Sequence, residues 1–251
     1  MRILVCVKRV PITGGKMVLT EDARTIETKH LGFTISPHEE CAVEEAVRIV
    51  EAVGGEVVVL TLGPAEAEEQ LRDCMAIGAD RAILLETQGE EWDAQATAAA
   101  IVDAIRGEPE AFDLLLFGNE SADAAGYQVG IRVAHRLGLS VVTGLKKIEI
   151  GEGSARCERD VGGARDVYEV PLPAVLSVLE GLNLPRYPSV PGRLRAKQKP
   201  LARSAVIPPA PQLELLRLSV PEGQGKAAEV LGEGPAAALR VVEVLQEIGV
   251  A

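Results

Sequence analysis

"FDLLLFGNESADAAGYQVG", residues 112–130, passes from an apolar run through a glycine-punctuated turn into a segment with helical spacing. A continuous apolar run reads as a strand covered on both faces, and a helix directly behind it makes a βα unit. Working outward, the same alternation recurs. "RILVCVKRV" (2–10), "EVVVLTLG" (56–63) and "RAILLE" (81–86) are further buried strands, and "LSVVTGLKKIEI" (139–150) gives another. Between them lie helices at 36–55, 64–78, 93–107 and 124–138. The first has Ser36 as N-cap, Pro37 in its first turn and Glu39 at capping-box spacing. Its stripe is Ala42, Val43, Ala46, Val47 and Val50, and Gly54-Gly55 stops it. A polar segment from Thr13 to Lys29 reads as a surface hairpin, and residues 155–181 as an antiparallel meander carried to a sheet edge, turning at Gly162-Gly163. Strand–helix alternation with short connections dictates an α/β fold: a doubly wound, mostly parallel sheet, Rossmann-like, with helices on both faces.

The texture changes after Glu180. From Gly181 to Leu213 the chain carries no acidic residue, although its formal net charge is -11. Arg186, Arg193, Arg195, Lys197, Lys199 and Arg203 fall here, among Pro185, Pro188, Pro191, Pro200, Pro208, Pro209 and Pro211. Prolines at that density predict an extended, semi-rigid arm without helix or sheet interior. The stretch "GKAAEVLGEGPAAALRVVEVLQEIGVA" (225–251) then contains a helix whose stripe is Ala238, Val241, Val242 and Leu245. One helix on an arm cannot cover its own stripe, so the flank of the domain or another chain must do so. The expected division is an α/β domain over 1–180, a basic proline-rich arm over 181–212 and a helical tail over 213–251.

Several function classes are excluded by composition. Acidity repels a phosphate backbone and aromatics are only 3%, so nucleic acid is a poor partner. No apolar run approaches a membrane span. The opening "MRILVCVKRV" is too short and too soon charged for a secretory signal, and Cys6, Cys41, Cys74 and Cys157 show no CxxC spacing. The expectation is a cytoplasmic protein without a disulfide framework or metal cluster.

In an open parallel sheet, ligands bind beyond the carboxyl ends of the strands, where the strand order reverses. Gly118 stands at such an end. Ser121, Ala122, Ala124, Ala125 and Gly126 are small enough for backbone N–H groups to reach an anion, and a helix start adds partial positive charge. Asp123 is expected to cap that helix, while Asn119 and Gln128 supply amides able to read adenine or ribose edges. Ser36-Pro37-His38-Glu39 and Cys6-Val7-Lys8 open at the same rim. There is no Walker lysine, no GxGxxG, no HExxH and no nucleophile–base pair. The residues support a nucleotide pocket without catalytic apparatus. A tight βα turn with no ligand, a stand-alone adenine-nucleotide-binding protein and a nucleotide hydrolase remain alternatives, the last disfavoured by its missing nucleophile.

"RILVCVKRVP", "SPHEECAVEEAVRI", "LRDCMAIGADRAIL", "GNESADAAGYQVG" and "LNLPRYPSVPGRLRAKQK" together resemble the beta (small) subunit of electron transfer flavoprotein over nearly the whole chain. The resemblance implies an electron carrier rather than an enzyme, paired as a heterodimer with an alpha subunit that holds most of the FAD. It implies a structural AMP contacted by Cys6, by Ser36, Pro37, His38 and Glu39, by Leu62, and by Gly118, Asn119, Glu120, Ser121, Ala122, Asp123, Ala124, Ala125, Gly126, Tyr127, Gln128 and Val129. The family's recognition loop, which docks on acyl-CoA dehydrogenases, falls on Tyr187, Val190, Pro191, Arg193, Arg195, Lys197 and Lys199, with Val190 where well-studied members carry leucine. Electrons then pass to a membrane quinone oxidoreductase, as in fatty acid β-oxidation. Some relatives carry a second FAD in place of AMP and split electron pairs, and the pattern leaves that alternative open. Thr13 and His38 stand where familiar members place aromatics near the flavin.

Overall fold

Seven strands form one parallel sheet, and the way the chain visits them places the crevice. A computed structural model describes residues 1–12, 17–210, 212–220 and 229–250. Thr13, Pro211, Gly225 to Ala228 and Ala251, all invoked above, lie outside the described residues. The elements run β1 (Arg2–Cys6), β2 (Val10–Pro11), β3 (Phe33–Thr34), α1 (Pro37–Val53), β4 (Glu56–Gly63), α2 (Glu68–Ile77), β5 (Arg81–Glu86), α3 (Ala94–Arg106) and β6 (Leu114–Gly118). Then follow α4 (Val129–Leu137), β7 (Ser140–Leu145), β8 (Lys147–Ile150), β9 (Ser154–Val161), β10 (Ala164–Pro171), β11 (Ala174–Val178), α5 (Val190–Ala196), β12 (Leu201–Ala205) and α6 (Ala238–Glu247).

The sheet order is β12-β5-β4-β1-β6-β11-β7, and every adjacent pair is parallel. From β1 the chain steps to β4 and β5 on one side, then crosses to β6 on the other. The order therefore reverses between β1 and β6, which leaves a crevice beyond their carboxyl ends. Register keeps those ends level: Cys6 pairs with Leu60 on β4 and with Phe117 on β6.

Alternate residues of each strand feed two cores. Ile3, Val5, Val57, Val59, Leu114 and Leu116 pack under α1 and α2. Leu4, Val58, Leu60, Leu115 and Phe117 pack under α3 and α4. Leu114, Leu115 and Leu116 are at most 1% exposed, so a central strand covered on both faces is what the unbroken apolar run encoded. Each such side chain contributes about 1.5–3 kcal/mol of burial.

Two expectations are corrected. The meander reaches its turn at Gly162-Gly163 and forms the separate antiparallel sheet β10-β9-β8, but Ala174–Val178 enters the main sheet between β6 and β7 rather than at an edge. The basic arm is not extended throughout. Its prolines delimit elements where the fold tolerates them: Pro191 sits in the first turn of α5 behind the Ser189 cap, Pro200 precedes β12, and Pro208 follows it. Between them β12 pairs with β5, Leu201 level with Ala82 and Ala205 with Glu86. The polar segment after β1 does turn back on itself, through a bridge between Leu19 and Ile26.

Candidate functional site

Three loops meet at the crevice because α1 is driven down onto the end of β6. A Cβ on Gly118 would stand 2.7 Å from Glu39 Cγ and 3.2 Å from His38 Cβ, so only glycine admits this approach. Glu39 closes the capping box by accepting from the Ser36 N–H at 3.0 Å, and its other oxygen accepts from the Lys8 N–H at 3.0 Å. One carboxyl thus ties the turn after β1 to the start of α1. Burial pushes the Glu39 pKa up to about 8, against the lowering effect of the Ser36 and Lys8 N–H groups. Burial also drives the Cys6 thiol upward, with Glu39 adding to it, so Cys6 is an inert packing residue.

The β6–α4 loop is held to the same place. Ser36 Oγ donates to the Glu120 carbonyl at 3.2 Å, and His38 Nε2 lies 3.3 Å from a Glu120 carboxylate oxygen. Lys8 Nζ reaches Asp123 at 2.6 Å and Glu91, from the β5–α3 loop, at 3.2 Å. Burial opposes the Lys8 charge, yet Glu91 and Asp123 outweigh it and hold the ammonium above its usual pKa. Burial likewise opposes the Asp123 charge, and Lys8 overrides it to hold that carboxyl below its ordinary value. Asn119 turns inward instead: its side-chain oxygen accepts from Ser177 Oγ at 3.0 Å and its N–H donates to the Val178 carbonyl, which stitches β6 to β11.

The helix after this loop starts later than the spacing of small residues predicted. α4 begins at Val129 with Gln128 as its N-cap, so Asp123 is not the cap. It lies in the middle of a turn in which the Ala125 N–H donates to the Ser121 carbonyl. Ala125 and Tyr127 adopt left-handed backbone, φ 46° and 55°, a conformation that costs an L-residue on the order of 1–2 kcal/mol. Among the described residues, no acceptor pairs with the amides of Gly126, Tyr127 and Gln128, and Ala122 to Gln128 are exposed. Free amides leading into a nine-residue helix are donors available to an anion. These residues fit a nucleotide phosphate. Gln128 holds Arg132 at 2.9 Å, and Arg132 reaches Gln95 at 2.7 Å.

Ser36, His38, Glu39, Gly118 and Glu120 are thus brought together by direct contacts, Asp123 joins them through Lys8, and Cys6 ends the strand beside them, level with Phe117. Pro37 is exposed on the first turn of α1. Leu62 stands two residues past Leu60 at the end of β4, half-buried against the core under α3 and α4. Glu91 was missed in the sequence; it belongs to a non-periodic loop, and only its place after a third strand end could have pointed to it. Among the described residues, no group of three His, Cys, Asp or Glu side chains could hold a metal, and no helix is long and apolar enough to cross a membrane.

At the arm, Tyr187 is 97% and Val190 73% exposed. Arg193 pairs with Asp73 at 3.0 Å. Lys199 turns inward, donating to the Met75 carbonyl at 3.0 Å and the Ala79 carbonyl at 2.6 Å, and burial holds its pKa below the ordinary lysine value. Arg195 and Lys197 are exposed.

A family model described as the electron transfer flavoprotein domain matches residues 24–209. The chain is 36% identical over 97% of its length, and 95% of the relative, to an electron transfer flavoprotein subunit beta of Syntrophomonas wolfei. It is 35% identical to the subunit beta of Bacillus subtilis over 80% of this chain and 77% of that one. It is 36% identical, over 80% of this chain and 77% of the other, to subunit CarD of the caffeyl-CoA reductase-Etf complex of Acetobacterium woodii. A parallel sheet with its crevice at the β1/β6 reversal, matched in family over most of its length, shows that this chain belongs to the electron transfer flavoprotein beta-subunit family.

Proposed function

We propose that this chain is the small half of a cytoplasmic electron shuttle, that it carries AMP in the β1/β6 crevice, and that it has no catalytic residues of its own. The observation that carries this reading is the run of free amides at Gly126 to Gln128, entering α4 beside a Gly118 on which α1 rests. Those amides receive the phosphate. Ser121 and Gln128 border it, and Lys8 neutralises the acidic groups that would otherwise repel it. AMP bound there stiffens the loop against α1, because the three loops share it.

FAD, held mainly by the alpha subunit, supplies the redox chemistry when bound. This chain's part is to pack against that subunit and to dock donors. The tail supports the first role: no residue of α6 is buried, and Leu239, Val241 and Val242 are 78%, 41% and 48% exposed. The alpha subunit covers that face. The arm supports the second: Tyr187 and Val190 project beside Arg193, Arg195 and Lys197, an apolar anchor in a cationic rim suited to acyl-CoA or other flavin dehydrogenases. Electrons leave toward a membrane quinone oxidoreductase. Heat-denaturing the purified heterodimer and quantifying released nucleotides tests the reading: one AMP and one FAD are expected.

The likeness to a subunit of a reductase-Etf complex supports a second reading, in which a second FAD replaces AMP and electron pairs are split. Two FAD and no AMP would establish it. A colourless monomer that binds ATP tightly would point instead to a stand-alone adenine-nucleotide-binding protein.

A further inference from the structure

We infer that His38 is a positioning residue through which the nucleotide loop sets the docking arm. The inference rests on the reading that the loop at Gly118–Val129 holds an adenylate and that Tyr187 and Val190 face a partner. His38 is hydrogen-bonded on one side and faces a carboxylate on the other. The backbone N–H of Glu180 donates to His38 Nδ1 at 2.9 Å, so the imidazole proton sits on Nε2. Nε2 faces a Glu120 carboxylate oxygen at 3.3 Å. Glu120 belongs to the nucleotide loop, where its carbonyl also accepts from Ser36 Oγ. Glu180 is the last residue before the arm, and Lys146 Nζ donates to its carbonyl.

Beyond Glu180 the chain runs along α1 as a strap, fixed at nearly every turn. Asn183 donates to the Cys41 carbonyl at 3.0 Å and to Glu45 at 2.9 Å. Arg48 donates to the Leu184 carbonyl at 3.3 Å. Arg186 grips Glu44, whose side chain is only 2% exposed, at 2.9 and 3.1 Å, and reaches Glu51 at 2.7 Å. Cys41, Glu44, Glu45, Arg48 and Glu51 succeed one another at helical spacing, so one face of α1 carries the strap from Asn183 to Arg186. Tyr187 follows directly, almost fully exposed. The strap has its fixed end at Arg186 and its adjustable end at His38, where the only link to the nucleotide loop among these contacts is a half-buried imidazole. Ordering Glu120 orders the imidazole, and the imidazole then holds the Glu180 amide.

Two near-isosteric variants separate the two bonds. In His38→Gln the amide reaches the position of Nε2 and retains the Glu120 contact, but no acceptor remains for Glu180. In His38→Asn the carbonyl oxygen replaces Nδ1 and retains Glu180, but the contact with Glu120 is lost. The heterodimer, stripped of nucleotide and then given saturating AMP, is followed by amide hydrogen exchange. In the natural protein AMP is expected to slow exchange at Glu180 to Tyr187 by about tenfold, the scale of an ordinary coupling between sites. In both variants that response falls to about twofold or less, even with AMP bound, while protection of β1 stays unchanged. A purely structural histidine would alter exchange equally with and without AMP. The inference is overturned if AMP binds and exchange at Glu180 to Tyr187 does not respond, or if either variant keeps the full response. Failure of AMP to bind the natural heterodimer at all overturns the nucleotide reading, and this inference with it.

Discussion

The α/β body and the tail beyond Val206 carry similar apolar residues and dispose of them in opposite ways. On β6, Leu114 and Leu116 are fully buried. Ile207, Leu216 and Leu239 are 89%, 74% and 78% exposed, and α6 buries nothing. Ten helical residues are too few to be stable alone in water, and α6 leaves its amphipathic stripe open among the described residues. The body folds by covering itself, and the described residues of the tail leave their apolar side chains open, which is the face that the proposed alpha subunit would cover. Substitutions of the same chemical kind should therefore have effects of different kinds in the two regions.

The widest separation is expected from two leucines. Leu116→Ala opens a cavity at the centre of the sheet and should cost about 2–5 kcal/mol in urea unfolding of the chain expressed by itself. Leu239→Ala should change the same measurement by no more than about 0.5 kcal/mol, yet weaken assembly with the alpha subunit by about 1–3 kcal/mol. Equal losses in the isolated chain would mean that the tail belongs to the core, and the contrast would collapse.

The body was legible because its signals are local. A strand covered on both faces can only be an unbroken apolar run, and β1, β4, β5 and β6 are such runs. The capping residues of α1 announced themselves in the same way. Two things were misread where a local signal has more than one solution. Proline density argued for extension, but Pro191 at a helix start and Pro200 ahead of a strand are positions where a missing N–H costs nothing. Small residues at Ala124 to Gly126 looked helical, but Ala125 and Tyr127 take left-handed backbone before α4 begins. Glu91 and the strap on α1 were invisible, because both are contacts between segments far apart in sequence, with no period to betray them.

Within the body, the rim should prove less tolerant than its exposure suggests. Gly118→Ala places a methyl 2.7 Å from Glu39 Cγ and 3.1 Å from the Glu39 nitrogen. The backbone nitrogen cannot swing away as a side chain could, so α1 must lift from β6 at a cost of about 1–3 kcal/mol. AMP retention should fall with it. A Gly118→Ala heterodimer of natural stability that still released one AMP would show that α1 does not close the crevice.

The buried carboxyl beneath that contact gives a smaller effect with a definite sign. Glu39 in the folded chain has its pKa pushed to about 8, above the 4.5 of a free glutamate. Between those values the folded chain holds a proton that the unfolded chain has released, so this residue makes stability fall as pH rises from about 5 to about 8. Burial raises Glu40 and Glu45 in the same sense, while Arg186 holds Glu44 below its usual value, so the total slope mixes several groups. Glu39→Gln removes one of them and should flatten the fall between pH 5 and pH 8 in urea midpoints. Parallel curves for the two proteins would mean that the Glu39 carboxylate is ionised throughout that range.

The smallest effect tests the arm, which belongs to neither pole of the comparison: anchored like the body, open like the tail. Gly192 packs so closely on α2 that a Cβ would meet the Ala76 carbonyl oxygen at 2.6 Å, and Ala196 is buried, while Val190 at the other end of α5 is free. The Ser189 cap and Pro191 fix the first turn, so Val190 is presented by a short, pre-set element rather than by a loose loop. Val190→Leu adds one methylene, about 0.8 kcal/mol once buried, or roughly fourfold in affinity. Docking to an acyl-CoA dehydrogenase, read by titration calorimetry, should tighten by that factor, and the stability of the free chain should not move. Tightening without a change in stability requires that the residue be covered by the partner alone. A gain in free-chain stability would instead show Val190 folded against its own body, and would remove the arm's claim to be a docking element.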